Sequence, residues 1–223
     1  MGIIIDTYKF ILFDLDGTLS DPKVGITKSV QYALHRMGID EPAVDKLDGF
    51  IGPPLQVSFK EHFHFNEVDT QKAIDLYRER FKEKGMFENK LYPHISSLLK
   101  LLQEQEFTLI VATSKPTVFA EQILKHFKIE KYFDLVVGSE LDGTRAGKTQ
   151  IIQYILDYYQ EHRRSDFVMI GDREHDIIGA NNTGIASIGV TYGYGSYDEL
   201  RQSNPTNIVE SVEELKGFLM GTG

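Results

Sequence analysis

Two pairs of aspartates are the features of this chain best suited to chemistry. The first lies in Phe13-Asp14-Leu15-Asp16-Gly17-Thr18-Leu19, where an apolar run leads directly into Asp14. If that run is a buried strand, the Asp14 carboxylate emerges at its C-terminal end and Asp16, two residues on, points the same way. Gly17 lets the backbone turn tightly, and Thr18 supplies a hydroxyl and an amide. In such a pair one carboxylate can attack phosphorus while the other handles the leaving-group proton. A bare Asp-x-Asp is more often two solvated acids in an Asp-Gly turn; the strand before it and Gly-Thr-Leu after it favour chemistry here.

The second pair lies in Ile170-Gly171-Asp172-Arg173-Glu174-His175-Asp176. A helix beginning near Arg173 puts Asp172 near the N-cap and Asp176 about one turn in. Alone, these could be acids favoured by the helix dipole. Alongside the first pair they pose an electrostatic problem. At ~4 Å and an effective dielectric of ~20, each pair of converging carboxylates costs roughly 4 kcal/mol. Such a cluster calls for a divalent cation, and ligands that are all oxygen suit Mg²⁺. The cation would also screen Asp14 from an anionic substrate. It would thereby reconcile a formal charge of −9 with a phosphate ester as substrate.

Two further residues could serve phosphoryl transfer. Thr113, in Val111-Ala112-Thr113-Ser114-Lys115, could hold a non-bridging oxygen, with Ser114 beside it. Lys148, opening a helix after Arg145-Ala146-Gly147, could neutralise both nucleophile and transferring group. Each alone reads as a turn threonine or a surface lysine; their positions after successive strands raise them. Gly147-Lys148-Thr149 imitates the end of a P-loop, but that pattern needs glycine where Asp142 stands and a strand leading into it. His62 and His64, two apart on a helix, face different sides, which argues against a zinc site. His175 reads as a solvated helix residue or a support for the acids. Tyr192 and Tyr194 read as loop packing.

The elements that must position these residues follow from apolar patterning. Five short runs, 9–13, 107–112, 133–137, 167–170 and 186–190, read as strands buried on both faces. Helical stretches at 117–127, 149–160 and 174–183, the last ended by Gly184, separate the later four. Alternating strands and helices imply an α/β fold with a parallel sheet covered on both sides. Its working end should lie beyond the strands' carboxyl ends. The connection from residue 13 to residue 107 is far too long for an ordinary βα link. Helical periodicity at 24–37 and 70–84, and a helix from Pro54 to about Phe63 after the turn Gly52-Pro53-Pro54, fill it. Residues 95–104 form the last helix before the second strand. The expected organisation is a core of residues 1–19 and 89–223 with a helical cap of residues 20–88 inserted after the first strand.

Composition narrows the classes further. The 223 residues contain no cysteine, which excludes disulfides, thiolate zinc sites and cysteine nucleophiles. The acidic balance argues against a nucleic-acid polymer or an anionic membrane as partner. No apolar stretch approaches the ~20 residues of a membrane span. Residues 1–6 match neither a signal peptide nor a myristoylation site. A cytoplasmic location is expected.

Taken together, Asp14-x-Asp16-Gly17-Thr18, Thr113, Lys148 and Gly171-Asp172-x-x-x-Asp176 resemble, in order, the four motifs of the haloacid dehalogenase superfamily, in its phosphatase branch. The resemblance spans nearly the whole chain. It implies a doubly wound, Rossmann-like sheet of order 3-2-1-4-5 with an inserted helical cap. It further implies Asp14 as nucleophile and metal ligand, and Asp16 as general acid-base with its main-chain carbonyl on Mg²⁺. Asp172 and Asp176 would serve the metal, Asp176 directly or through water, while Thr113 and Lys148 would bind the phosphoryl group. Asp16 sets the chain apart from the dehalogenases, which lack this acid, and from the pump ATPases, which carry threonine there. The third motif departs from the pattern in lacking a proline after Lys148. Ile51-Gly52-Pro53-Pro54-Leu55, Ser139–Arg145 and Gly189–Gly195 are similar to phosphoglycolate phosphatases and bacterial 5′-nucleotidase-like relatives. They imply a pocket where Gly52 and Pro53 meet the core, and a small phosphorylated metabolite acted on by a monomer or homodimer. A phosphomutase or an inorganic pyrophosphatase of the same fold is the alternative.

Overall fold

The structure, a computed structural model, describes residues 8–221; residues 1–6, considered above for targeting signals, lie outside them. The sheet is built on β1 (Phe10–Phe13), whose four residues are all buried. A strand covered on both faces has no polar side to show, which is why it reads as an unbroken apolar run. It pairs in parallel with β4 (Thr108–Pro116) on one side and β6 (Phe167–Gly171) on the other. β5 (Leu135–Ser139) flanks β4, and β7 (Ala186–Val190) flanks β6. The five expected strands thus lie in the expected order, and β8 (Asn207–Val209) extends the sheet beyond β7. The chain leaves β1 toward one edge and returns to its other side at β6, so the carboxyl ends of β1, β4 and β6 face one crevice.

Core helices α4 (Ile95–Glu104), α5 (Thr117–Phe127), α6 (Lys148–Tyr158) and α7 (Glu174–Thr183) cover the sheet. Gly184 ends α7 in the left-handed region, as anticipated. β5 starts at Leu135, two residues later than patterning suggests, because 130–132 form a 3₁₀ turn. Two short helices, α8 (Tyr197–Gln202) and α9 (Val212–Leu219), were not anticipated; each is capped by a serine, Ser196 or Ser211.

The long connection is helical: α1 (Lys23–Arg36), α2 (Leu55–Phe63) and α3 (Glu67–Glu83). α3 begins three residues earlier than its apolar periodicity, because the Asn66 side chain accepts from the Asp69 amide at 2.9 Å and caps the helix there. Ile26, Val30 and Leu34 of α1 and Ile74, Tyr77 and Phe81 of α3 are buried in the cluster that includes the neighbouring sheet face. His62 lies against Phe50, and His64 ends α2 in the left-handed region. The two chain crossings into and out of this insert pair as antiparallel strands β2 (Ser20–Asp21) and β3 (Lys90–Leu91). Among the described residues no helix is long and apolar enough to cross a membrane.

Candidate active site

Hydrogen bonding to the central sheet carries the first motif out of β1, with the Asp14 amide donating to the Ile170 carbonyl at 2.9 Å. The chain then turns at Gly17, which has φ +86°; a β-carbon there would stand 2.1 Å from Asp172 Oδ2. Gly171 is needed for the same reason, since a β-carbon there would reach the Asp176 carboxyl at 2.1 Å. Glycines therefore bring the two acidic motifs face to face. Asp14, Asp172 and Asp176, all buried, each offer a carboxylate oxygen within 4.8 Å of the others.

Lys148, at the start of α6, reaches into this group. Its Nζ lies 2.8 Å from Asp14 Oδ1 and 2.8 Å from Asp176 Oδ1, and it donates to the Ala112 carbonyl at 2.6 Å. Burial alone would lower its pKa, but the charges of Asp14 and Asp176 outweigh it and hold the pKa above the ordinary lysine value. One ammonium does not balance three carboxylates. Burial, then the charges of Asp176 and Asp14, push the Asp172 carboxyl well above its usual range. Burial likewise raises Asp176, against the pull of Lys148. Both are the signs of a site short of positive charge. A hard divalent cation fits this donor set: three carboxylates, no nitrogen or sulfur ligand.

The helix following β6 starts one residue later than expected for an Asp172 cap. Arg173 is the N-cap, and its amide donates to Asp176 Oδ2 at 3.2 Å. That leaves Asp172 free to turn inward, where it accepts from the Tyr194 amide at 2.7 Å and the Thr18 hydroxyl at 3.4 Å. The Asp16 carboxylate does not join the cluster. It pairs with Lys115 Nζ at 2.7 Å, and this ammonium lies 4.6 Å from the Phe81 ring centroid of the insert. Burial raises the Asp16 pKa, with Lys115 opposing.

Thr113 is buried near the end of β4, one residue beyond the carbonyl that Lys148 grips, and its hydroxyl accepts from the Lys115 amide at 3.3 Å. Ser114, Gly52 and Pro53 line one cavity of about 60 Å³ with Asp16 and Lys115. His175 is exposed on α7. Four contributors went without a functional assignment from sequence. Lys115 was visible as a lysine closing an apolar strand, a weak signal. Arg173 donates to the Ile51 carbonyl of the insert at 3.0 Å while pairing with Glu199 at 2.8 Å, a link no local pattern announces. Tyr192 and Tyr194 do more than pack: their hydroxyls donate to the Thr18 carbonyl and the Asp21 carboxylate.

The model of the Haloacid dehalogenase-like hydrolase family matches residues 11–190, which include every residue of the acidic cluster and Lys148. The chain belongs to this family. Among curated relatives of this haloacid dehalogenase-like hydrolase is a 5′-nucleotidase of Pseudomonas aeruginosa, 48% identical over 95% of this chain and 96% of the relative. Another is a phosphoglycolate phosphatase of Vibrio parahaemolyticus, 30% identical over 93% and 94% of the two chains. Of solved structures, a predicted phosphatase from Clostridium acetobutylicum superposes with a TM-score of 0.93 at 50% identity, covering 96% of this chain and 99% of its own. The chain is a phosphatase of the family, a phosphoric monoester hydrolase.

Proposed function

We propose that this hydrolase removes phosphate from a small soluble monoester, with Mg²⁺, through an aspartyl phosphate on Asp14. The reading rests above all on three buried carboxylates gathered at one point, two of them paired with Lys148, beside a further acid, Asp16, that has its own cation and opens onto a cavity. Asp14, Asp172 and Asp176 would hold the metal, with the Asp16 carbonyl as the further ligand that the family resemblance implies. When bound, the ion supplies positive charge to the phosphoryl oxygens.

The chain's own residues account for the rest. An Asp14 carboxylate oxygen forms a bond to phosphorus as the ester P–O bond breaks, and the departing alkoxide takes a proton from Asp16. Burial favours the protonated form of Asp16 that this step needs. Asp16 then accepts a proton from water as the water oxygen bonds to phosphorus, releasing inorganic phosphate and restoring Asp14. Lys148 fixes the Asp14 carboxylate and offsets charge, while Thr113, Ser114 and Thr18 hold phosphoryl oxygens. We read residues 20–88 as a cap on a core of 1–19 and 89–223, excluding water over Gly52 and Pro53. The names of the relatives support phosphoglycolate or a nucleoside 5′-monophosphate as the class of substrate.

The test is release of free phosphate from p-nitrophenyl phosphate. Wild-type protein should turn over with Mg²⁺ and stop with EDTA, and Asp14→Asn should lose at least about 10³-fold in kcat. Wild-type turnover by the Asp14→Asn protein would refute the reading.

A further inference from the structure

We propose that Arg78 selects esters whose leaving alcohol carries a second oxyanion, a few atoms from the ester oxygen. The inference rests on the phosphatase reading above. Arg78 lies on α3 and lines the cavity between insert and core that Asp16 reaches from the other side. The charges around that cavity are otherwise matched. Asp16 has Lys115 at 2.7 Å, and Glu140 has Arg145 at 2.6 Å. Two residues along α3, Arg80 grips Glu88 with both nitrogens, at 2.8 and 3.0 Å. Arg78 has no carboxylate at ion-pair distance among the described residues, and its Nε is buried with no hydrogen-bond partner.

A buried guanidinium donor without an acceptor is costly to keep, and proteins seldom do so without a use. Burial also depresses its pKa, with only Asp75 and Tyr77 opposing, so an arriving anion would relieve both deficits. A guanidinium fork suits a carboxylate or a phosphate, which it binds through two parallel hydrogen bonds. The cavity sets the size. Its volume of about 60 Å³ is several times the roughly 10–15 Å³ that a single water requires. Phe50 and Phe81 wall it, and Gln56 adds a polar contact. That is room for a short acid whose charge the Arg78 guanidinium can meet.

The experiment compares kcat/KM for four esters with Mg²⁺: 2-phosphoglycolate, ethane-1,2-diol bisphosphate, 2-hydroxyethyl phosphate (the analogue whose alcohol is uncharged), and a nucleoside 5′-monophosphate. We expect at least one of the two probes that carry a second oxyanion to exceed the uncharged analogue by ten-fold or more, and which one leads identifies the oxyanion. Arg78→Gln should shrink that ratio at least five-fold, mainly through KM, while Arg78→Lys restores part of it. Thermal melting of both variants checks that they fold, and a melted Arg78→Gln protein leaves Arg78→Lys and Arg78→Met to carry the comparison. No preference for the charged probes, a stronger preference for the nucleotide, or an equal loss on charged and uncharged esters would overturn the proposal. In each of those outcomes Mg²⁺-dependent release from the uncharged ester leaves the phosphatase reading standing. No release from any ester overturns both.

Discussion

Lys148 meets three oxygen atoms with one ammonium, and two of them belong to acids that would otherwise repel each other. Its removal should therefore be felt twice. Lys148→Met is expected to lower kcat on p-nitrophenyl phosphate about 10²–10³-fold, the scale of a lost electrostatic stabiliser. In metal-free buffer it should also destabilise the fold by about 3–5 kcal/mol, since it strands buried carboxylates. Urea unfolding with and without Mg²⁺ measures the second effect. At this scale the sequence was most informative where a motif ties residue type to place: Asp14, Asp172 and Asp176 converge as their spacing after apolar strands implies. It was least informative about partners. Nothing local says that Asp16 turns toward Lys115, because that pairing depends on how β1 and β4 lie side by side and on a ring of the insert, Phe81, over the ammonium.

Among elements, the contact between the β6–α7 turn and the insert is the most exposed to test. Arg173 reaches from the core to the Ile51 carbonyl, just before Gly52, and Glu199 at 2.8 Å holds its guanidinium in position. Arg173→Ala should leave the chain folded, speed amide exchange at 50–56, and lower kcat/KM roughly ten-fold by loosening the cavity wall. Unchanged exchange there would separate Arg173 from the insert's position. The strands of the core were legible because burial on both faces removes polar residues from them. β8, α8 and α9 were not, since they are short, mixed in polarity and stabilised by packing at the sheet edge. The start of α3 was missed for a different reason: Asn66 begins the helix with a polar turn that periodicity does not register.

For the molecule as a whole, a formal charge of −9 coexists with a site for phosphate because the site's own imbalance, three carboxylates against one ammonium, is one that a divalent cation would meet. A divalent cation binding only the folded state should stabilise it by mass action, by about 2.7 kcal/mol at a hundred times its dissociation constant. Calorimetry should show melting rise with Mg²⁺ and fall back with EDTA, and Asp172→Asn should abolish most of the shift. An equal shift in that variant would place the ion elsewhere. The insert was legible at this scale from length alone, as a segment too long for a loop and too periodic for disorder; the pairing of its two crossings as β2 and β3 was not, because two-residue strands leave no pattern.

The chemistry itself turns on whether phosphate passes through Asp14. Wild-type protein quenched during turnover of p-nitrophenyl phosphate with Mg²⁺ and reduced with borohydride should carry homoserine at position 14, found by mass spectrometry of the peptide spanning 10–23. Turnover with no reducible acyl phosphate at that position, or with the label mapped to another residue, would contradict the account.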